Sequence, residues 1–235
     1  MTAPDKSGFK LDKRVNESWL ANYEFVALNT IARRLPDWVT PNQLTGLGMA
    51  GAAMVTLGGL LSRYEMAWLW LSNAGLVVHW LGDSLDGTVA RLRRVERPRY
   101  GFYLDQVIDT FGNLLISVGV GLCPLVRMDL SLVILAVYQM LSVQVLVRAI
   151  VDREFHLAVG RMGPTELRIG IVCLNLLLMA FGSWHAPGTP AWLSWENVLM
   201  GATIVGLLGL FFWQMDGHLA RLAAEDRPAP PQRHP

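Results

Sequence analysis

Six stretches of this 235-residue chain, at about 42–62, 66–90, 101–124, 130–151, 166–183 and 192–215, are apolar over the length that a hydrocarbon core demands, roughly 17 to 25 helical residues. Inside a bilayer each backbone N–H and C=O must be satisfied within its own segment or a closed barrel, so stretches of this kind fold as helices. Composition agrees: 52% of residues are hydrophobic, only 17% are charged, and the mean hydropathy is +0.34. The expected fold is therefore all-α, a polytopic membrane protein with six transmembrane helices.

The segment before them has a different pattern. Between Glu17 and Leu35 the residues Trp19, Leu20, Tyr23, Val26, Ala27, Ile31 and Leu35 recur at helical spacing, which predicts an amphipathic helix lying in the membrane interface. Pro36 and Pro41 separate it from the first span. Lys6, Lys10, Lys13, Arg14, Arg33 and Arg34 interrupt any leader-like apolar run, so no cleavable signal is expected here. The chain divides into 1–41 with the interfacial helix, a six-helix membrane domain over 42–222, and a proline-rich tail over 223–235 expected to be disordered and cytoplasmic.

Basic residues set the orientation. With both termini inside, the outer loops hold only Arg63 and Arg127, and the other eighteen of the twenty Lys and Arg fall on the inner side. The expected location is a plasma membrane of the bacterial inner-membrane type, with both termini and the acidic cluster described next facing the cytoplasm. A net charge of +1 excludes a nucleic-acid partner gripped by bulk charge. Cys123 and Cys173 have neither metal-ligand nor disulfide-framework spacing and read as small core residues. The ten Met and nine Trp are spread through spans and interfaces, as lipid-facing and belt residues are.

Four carboxylates contradict the apolar background. Asp83 and Asp86 lie in the second span, Asp105 and Asp109 in the third, toward the inner end. Each costs about 2.5 to 3.5 kcal/mol near the bilayer centre, so four uncompensated would cost on the order of 10 kcal/mol. Spacings of three and four residues put each pair on one helix face, and the hairpin between the spans turns the faces together. Pairing with Arg91, Arg93, Arg94, Arg97 and Arg99 is the plain alternative, but those arginines lie beyond the helix end, where they reach water. Gly87, Ala90 and Arg91 follow Asp83 on its own face, and Gly101 precedes Asp105 by four, so missing side chains leave room beside the acids. Hard oxygen ligands of this kind suit Mg²⁺, Mn²⁺ or Ca²⁺, with positions left for a substrate's phosphates. There is no P-loop, and Ser84 has no histidine at triad spacing.

Asp83-Ser84-Leu85-Asp86-Gly87-Thr88-Val89-Ala90-Arg91, nine residues, then Gly101-Phe102-Tyr103-Leu104-Asp105-Gln106-Val107-Ile108-Asp109 resembles the signature of the CDP-alcohol phosphotransferase family, with all eight signature residues in place. The interfacial helix, the Pro41-Asn42-Gln43-Leu44-Thr45 start to the first span and the six spans extend the resemblance over most of the chain. It implies transfer of a phosphoalcohol group from a CDP-linked donor to an acceptor hydroxyl with release of CMP, one of the two substrates being a lipid, within a homodimer. It further implies that Asp83, Asp86, Asp105 and Asp109 ligate two divalent cations, Mg²⁺ or Mn²⁺, with Asp109 also the general base. Gly87, Ala90 and Gly101 would admit the cytidine diphosphate and Arg91 would hold charge at the site. CDP-diacylglycerol and CDP-choline or CDP-ethanolamine both remain open as donor. The runner-up from another class is a divalent-cation transporter or channel using the same aspartates, against which stand the almost wholly apolar outer halves of the spans, such as Leu114 to Pro124.

A second polar group, Arg148, Asp152, Arg153, Glu154, His156, Arg161, Glu166 and Arg168, gathers at the inner ends of the fourth and fifth spans. Arg153, Glu154 and Arg161 read as a solvated loop. Arg148 and Arg168 lie about one turn inside apolar helices, a depth where a cation faces a cavity or a partner. With Glu166 they are candidate contacts for the acceptor or headgroup; the other reading pairs them with Asp152 and Glu166. His79 and Trp80 read as packing residues, and His156 and His218 as near water.

Overall fold

The computed structural model describes residues 14–15, 21–152, 155–156, 164–190 and 193–226. The chain is all-α. Among the described residues the α-helices are α1 (Ala21–Arg34), α2 (Pro41–Leu61), α3 (Leu69–Leu92), α4 (Pro98–Gly121), α5 (Met128–Asp152), α6 (Pro164–Phe181) and α7 (Trp195–Glu225). A 3₁₀ turn, Met66–Trp68, leads into α3, and Arg14–Val15 pairs in parallel with Phe155–His156 over two residues.

Helix boundaries follow local chemistry. Thr40 caps α2 through a capping box with Gln43, and Pro41 occupies the first turn, so Pro41 opens this helix as much as it ends the segment before it. Pro98 opens α4 in the same way. Between them Arg94, with φ 56°, turns the chain out of α3.

Among the described residues four helices, α2, α5, α6 and α7, are long and apolar enough by length and composition to cross a membrane. The expected second and third spans do form helices of 24 residues each, α3 and α4, but these carry the four aspartates and do not join that set. Outward-facing side chains such as Ile150, Val205 and Trp213, exposed by 74%, 70% and 69%, fit an integral membrane protein whose solvent on those faces is lipid.

Small residues bring α2, α3 and α4 together. A Cβ on Gly75 of α3 would lie 2.7 Å from the Gly51 carbonyl oxygen of α2, and one on Gly119 of α4 would lie 2.8 Å from the Thr56 Cα of α2. Such backbone approach is the membrane substitute for hydrophobic collapse. Polar side chains add to it: Thr56 Oγ1 donates to the Leu115 carbonyl at 2.8 Å, and Ser131 Oγ of α5 donates to the Ser117 carbonyl of α4 at 2.7 Å. Asn175 Nδ2 of α6 donates to Asn73 Oδ1 of α3 at 2.8 Å. Of the small residues at the start of α2, Gly48 and Gly51 meet α3, whereas a Cβ on Gly46 would meet nothing within 4 Å.

Helix α1 docks on α3 through Leu28 and Ala32, which pack with Leu44, Leu85 and Val89. Val26 and Ile31, part of the apolar stripe read from sequence, point outward instead, the side available to an interface. Trp80 Nε1 donates to Glu24 Oε1 at 3.2 Å and ties the two helices together.

Two expectations, at Cys173 and His218, are corrected. Cys123 is buried, but Cys173 is exposed on α6 and is no core residue. Helix α7 runs on to Glu225, and Gln214, His218 and Arg221 lie on one of its faces toward the end of α5. There His218, expected near water, is only 12% exposed and faces Asp152 at 3.9 Å. Residues 227–235 of the tail, with Arg153, Glu154 and Arg161, lie outside the described residues, as do the side chains of Tyr23 and His156.

Candidate active site

Asp83 and Asp86 sit on α3 and Asp105 and Asp109 on α4, and all four line one pocket together with Thr45, Gly48 and His79. Asp83, Asp105 and Asp109 each offer an oxygen, and these atoms lie within 4.8 Å of one another. Like charges at that range repel strongly in a site screened from water, so positive charge among or beside them stabilises the ionised trio.

Asp86 is held differently. Its Oδ2 accepts from Thr45 Oγ1 at 2.7 Å and its Oδ1 from the Gly87 N–H at 2.5 Å, which anchors it to α2 and to its own helix turn. Thr45, part of the Pro41–Thr45 opening of the first span, stands one turn into α2 where that helix crosses α3, which gives it this role.

Positive charge arrives from α6. Arg168 Nη2 donates to Asp83 Oδ2 at 2.7 Å, with both side chains mostly buried. Its partner is thus an aspartate 85 residues earlier in sequence. Arg148 lies elsewhere: its Nη1 donates to Gln214 Oε1 of α7 at 3.4 Å. Asp152, the other partner considered for it, pairs with Arg221 at 2.5 Å. Glu166 falls in the first turn of α6, two residues before Arg168, and is half-buried.

Around the rim, Gly101 is exposed, and a Cβ there would meet nothing within 4 Å. A Cβ on Gly87 would reach the Arg91 guanidinium at 3.3 Å, and Ala90 is half-buried on the same helix. Arg91 is exposed and donates to Thr88 Oγ1 at 3.2 Å. Of these small residues, Gly101 on α4 is the one with open space where a Cβ would stand.

Sequence reading missed Arg93. Its guanidinium donates to the carbonyls of Leu35, Pro36, Asp37 and Val39 at 3.1, 2.9, 3.3 and 2.5 Å, fastening the α1–α2 turn to the end of α3. Asn42 Nδ2 reaches Tyr100 Oη at 3.4 Å, and Arg97 stacks 4.2 Å from the Tyr100 ring centroid. Nothing in the local spacing distinguished Arg93 from its basic neighbours, since its acceptors are backbone atoms of a distant turn.

Three carboxylate oxygens converging from two helices are a donor set for a hard divalent cation, by ligand type and by charge. The residues present fit such an ion, with Asp83, Asp105 and Asp109 as its ligands and Asp86 beside them.

Comparison with known proteins points the same way. The chain is 33% identical over 84 residues to the phosphatidylinositol phosphate synthase of Cutibacterium acnes, an overlap covering 36% of this chain and 38% of that protein. It is 35% identical over 109 residues to the archaetidylinositol phosphate synthase of Pyrococcus horikoshii, covering 44% and 52%. The matched stretches thus span about half or less of these curated relatives. The pattern of a whole family reaches further, over residues 38–205, from the turn before α2 into α7. The convergent aspartates lie inside that match, and the chain belongs to the CDP-alcohol phosphatidyltransferase family.

Proposed function

We propose that this protein moves a phosphoalcohol group from a CDP-linked donor to an acceptor hydroxyl, releasing CMP, as a step of phospholipid synthesis. The observation that carries this is the convergence of Asp83, Asp105 and Asp109 on one pocket of an otherwise apolar helix bundle. Family membership supplies the reaction class. Both relatives are named for making an inositol phosphate lipid, which favours a CDP-linked lipid as donor and an inositol phosphate as acceptor here.

Two divalent cations, Mg²⁺ or Mn²⁺, held by Asp83, Asp86, Asp105 and Asp109, would neutralise the diphosphate and polarise the phosphorus under attack. Asp109 takes the proton from the acceptor hydroxyl. Asp83 and Asp86, set by Arg168 and Thr45, keep their oxygens in fixed directions. Gly87, Ala90 and Gly101 leave space for the cytidine diphosphate, and Arg91 stands at its edge. Arg168 approaches the pocket from α6 and, with Glu166 two residues before it, is assigned to the acceptor side, whereas Arg148, turned to α7, supports the bundle beside it. Because the donor already carries a good leaving group, alignment and charge neutralisation suffice, and no covalent enzyme intermediate is required.

Six spanning helices, an interfacial α1, a cytoplasmic-facing pocket in a bacterial inner membrane and a homodimer complete the reading. The insertion cost of α3 and α4 is offset by burying their aspartates against one another's bound ions and against α2 and α6.

The test is CMP release by the purified protein in lipid nanodiscs, offered CDP-diacylglycerol, CDP-choline or CDP-ethanolamine with matching acceptors. Release with CDP-diacylglycerol plus inositol phosphate, abolished by a chelator and restored by Mg²⁺ or Mn²⁺, is expected. Absence of CMP with every pair would overturn the transferase reading in favour of a cation pathway.

A further inference from the structure

His79 is 2% exposed and sits on α3 four residues before Asp83, on the same helix face. Its ring lies in a slot cut by glycines of two other helices. A Cβ on Gly48 of α2 would come within 3.6 Å of Nδ1, and one on Gly112 of α4 within 3.2 Å of Cε1. Packing alone would accept many apolar side chains in such a slot. The two ring nitrogens, however, are both engaged, and by partners of opposite character.

Nδ1 lies 3.0 Å from the Gly48 carbonyl oxygen, which can only accept, so Nδ1 carries the hydrogen. In the neutral ring that leaves Nε2 as an acceptor. Facing it at 3.4 Å is Arg168 Nη2, which can only donate. The same Nη2 donates to Asp83 Oδ2 at 2.7 Å. A chain of contacts thus runs from the α2 backbone through His79 and Arg168 to a carboxylate of the acidic pocket.

We infer that His79 is a positioning residue: from Nε2 it fixes the Arg168 guanidinium so that Arg168 takes one oxygen of Asp83 and leaves the other to the pocket. Arginine prefers to grip a carboxylate with two parallel N–H bonds, occupying both oxygens. Only Nη2 contacts Asp83, through one oxygen, and that nitrogen is the one beside His79. Without an acceptor at Nε2 the guanidinium is free to turn and clasp Asp83 in two-point fashion, competing with a cation for it. The inference rests on the proposed cation-dependent reading, and predicts an effect on ion affinity even without substrate.

Two substitutions separate the two ring nitrogens. His79→Asn places an amide N–H near the Nδ1 position, keeping the Gly48 bond but losing the acceptor toward Arg168. His79→Gln places an amide oxygen near the Nε2 position, restoring that acceptor. Mn²⁺ titration of the full chain in nanodiscs, followed by electron paramagnetic resonance, reads the affinity directly. His79→Asn should raise the Mn²⁺ Kd by about tenfold, the lower end for loss of a group that orients a metal ligand, while His79→Gln stays close to the parent. In an Arg168→Gln background, adding His79→Asn should change nothing further.

Equal loss in His79→Asn and His79→Gln, or a full additional loss in the Arg168→Gln background, would overturn the inference, because either marks the ring as packing. Unchanged affinity in His79→Asn overturns it too, while leaving the cation reading intact. A parent protein that binds no Mn²⁺ at all overturns both.

Discussion

Glycine does opposite things in the two halves of this bundle. In α2, α3 and α4 a Cβ on Gly51, Gly75, Gly82 or Gly119 would strike the backbone of a neighbouring helix. In α6 and α7 a Cβ on Gly170, Gly201, Gly206, Gly209 or Gly217 would meet nothing within 4 Å. The first half is joined backbone to backbone, and the second through side chains such as Val137, Leu141 and Leu207. The pocket aspartates all belong to the close-packed half. Carboxylates that must share an ion tolerate little relative movement of their helices, and helices in backbone contact cannot shift without breaking that contact. The looser half contributes adjustable cations, Arg168 above all, on long side chains.

The largest expected effect tests the division between chemistry and packing within the close half. Asp109→Asn keeps the shape of the side chain but removes its ability to take a proton and to bind an ion with full charge. CMP release should fall by about 10²- to 10⁴-fold, the usual share of general-base catalysis, with unchanged elution and thermal midpoint in detergent. A variant that keeps turnover would move the proton to another group. One that loses both activity and its folded elution would show that the acidic trio is structural.

Gly75→Ala comes next and probes packing alone. Its new Cβ would lie 2.7 Å from the Gly51 carbonyl oxygen and 2.8 Å from the Val55 nitrogen, both backbone atoms that cannot rotate away. Forcing the helices apart should cost about 1 to 3 kcal/mol, visible as a lower thermal midpoint and, through the displaced aspartates, as weaker Mn²⁺ binding. A harmless Gly75→Ala would break the contrast between the halves.

Much of the close half was legible from sequence, for a physical reason. Asp83 and Asp86, three apart, and Asp105 and Asp109, four apart, declare their common faces through helix geometry, and the hairpin between α3 and α4 leaves few ways to arrange them. The ends of α2 are marked in sequence by Pro41 and by loss of apolar pattern, local signals both. What stayed hidden depends on contacts between residues far apart in the chain. Arg168 could be seen to lie too deep for a solvated cation, but not that its partner would be Asp83 on α3. Arg148 carried the same signal and turned instead to Gln214. Cys173 was misread because an apolar neighbourhood in sequence does not distinguish a core from a lipid face. Gln214, His218 and Arg221 are polar, yet their spacing keeps them on the face that meets the end of α5, a contact that no local pattern declares.

Arg93→Ala tests the fastening of α1 to the close half. Four backbone carbonyls, those of Leu35, Pro36, Asp37 and Val39, share this one guanidinium. Each bond is worth about 1 kcal/mol net, and water replaces part of it at this partly exposed turn. Opening of the turn should rise by about tenfold, one such factor for each 1.4 kcal/mol lost, and limited proteolysis between residues 35 and 40 should quicken by that ratio. An unchanged cleavage rate would mean that Leu28 and Ala32 alone hold α1 in place.

The smallest effect has the opposite sign from that at Gly75. Gly206 lies within α7, is exposed, and would give a new Cβ open space. With no neighbour to strike, the remaining consequence of Gly206→Ala is on the helix itself, where alanine is favoured over glycine by up to about 1 kcal/mol because it has less backbone freedom to lose. The thermal midpoint should hold or rise slightly, with CMP release unaltered. A fall would carry more information than a rise. Since none of the described residues comes within 4 Å of a Cβ at this position, destabilisation by one methyl group would point to a further surface, such as a second copy of the chain in the homodimer proposed above. The measurement then sharpens the contrast: glycine on α7 would serve close approach as it does on α2 and α3, but between chains, and the loss should vanish under conditions that separate the protomers.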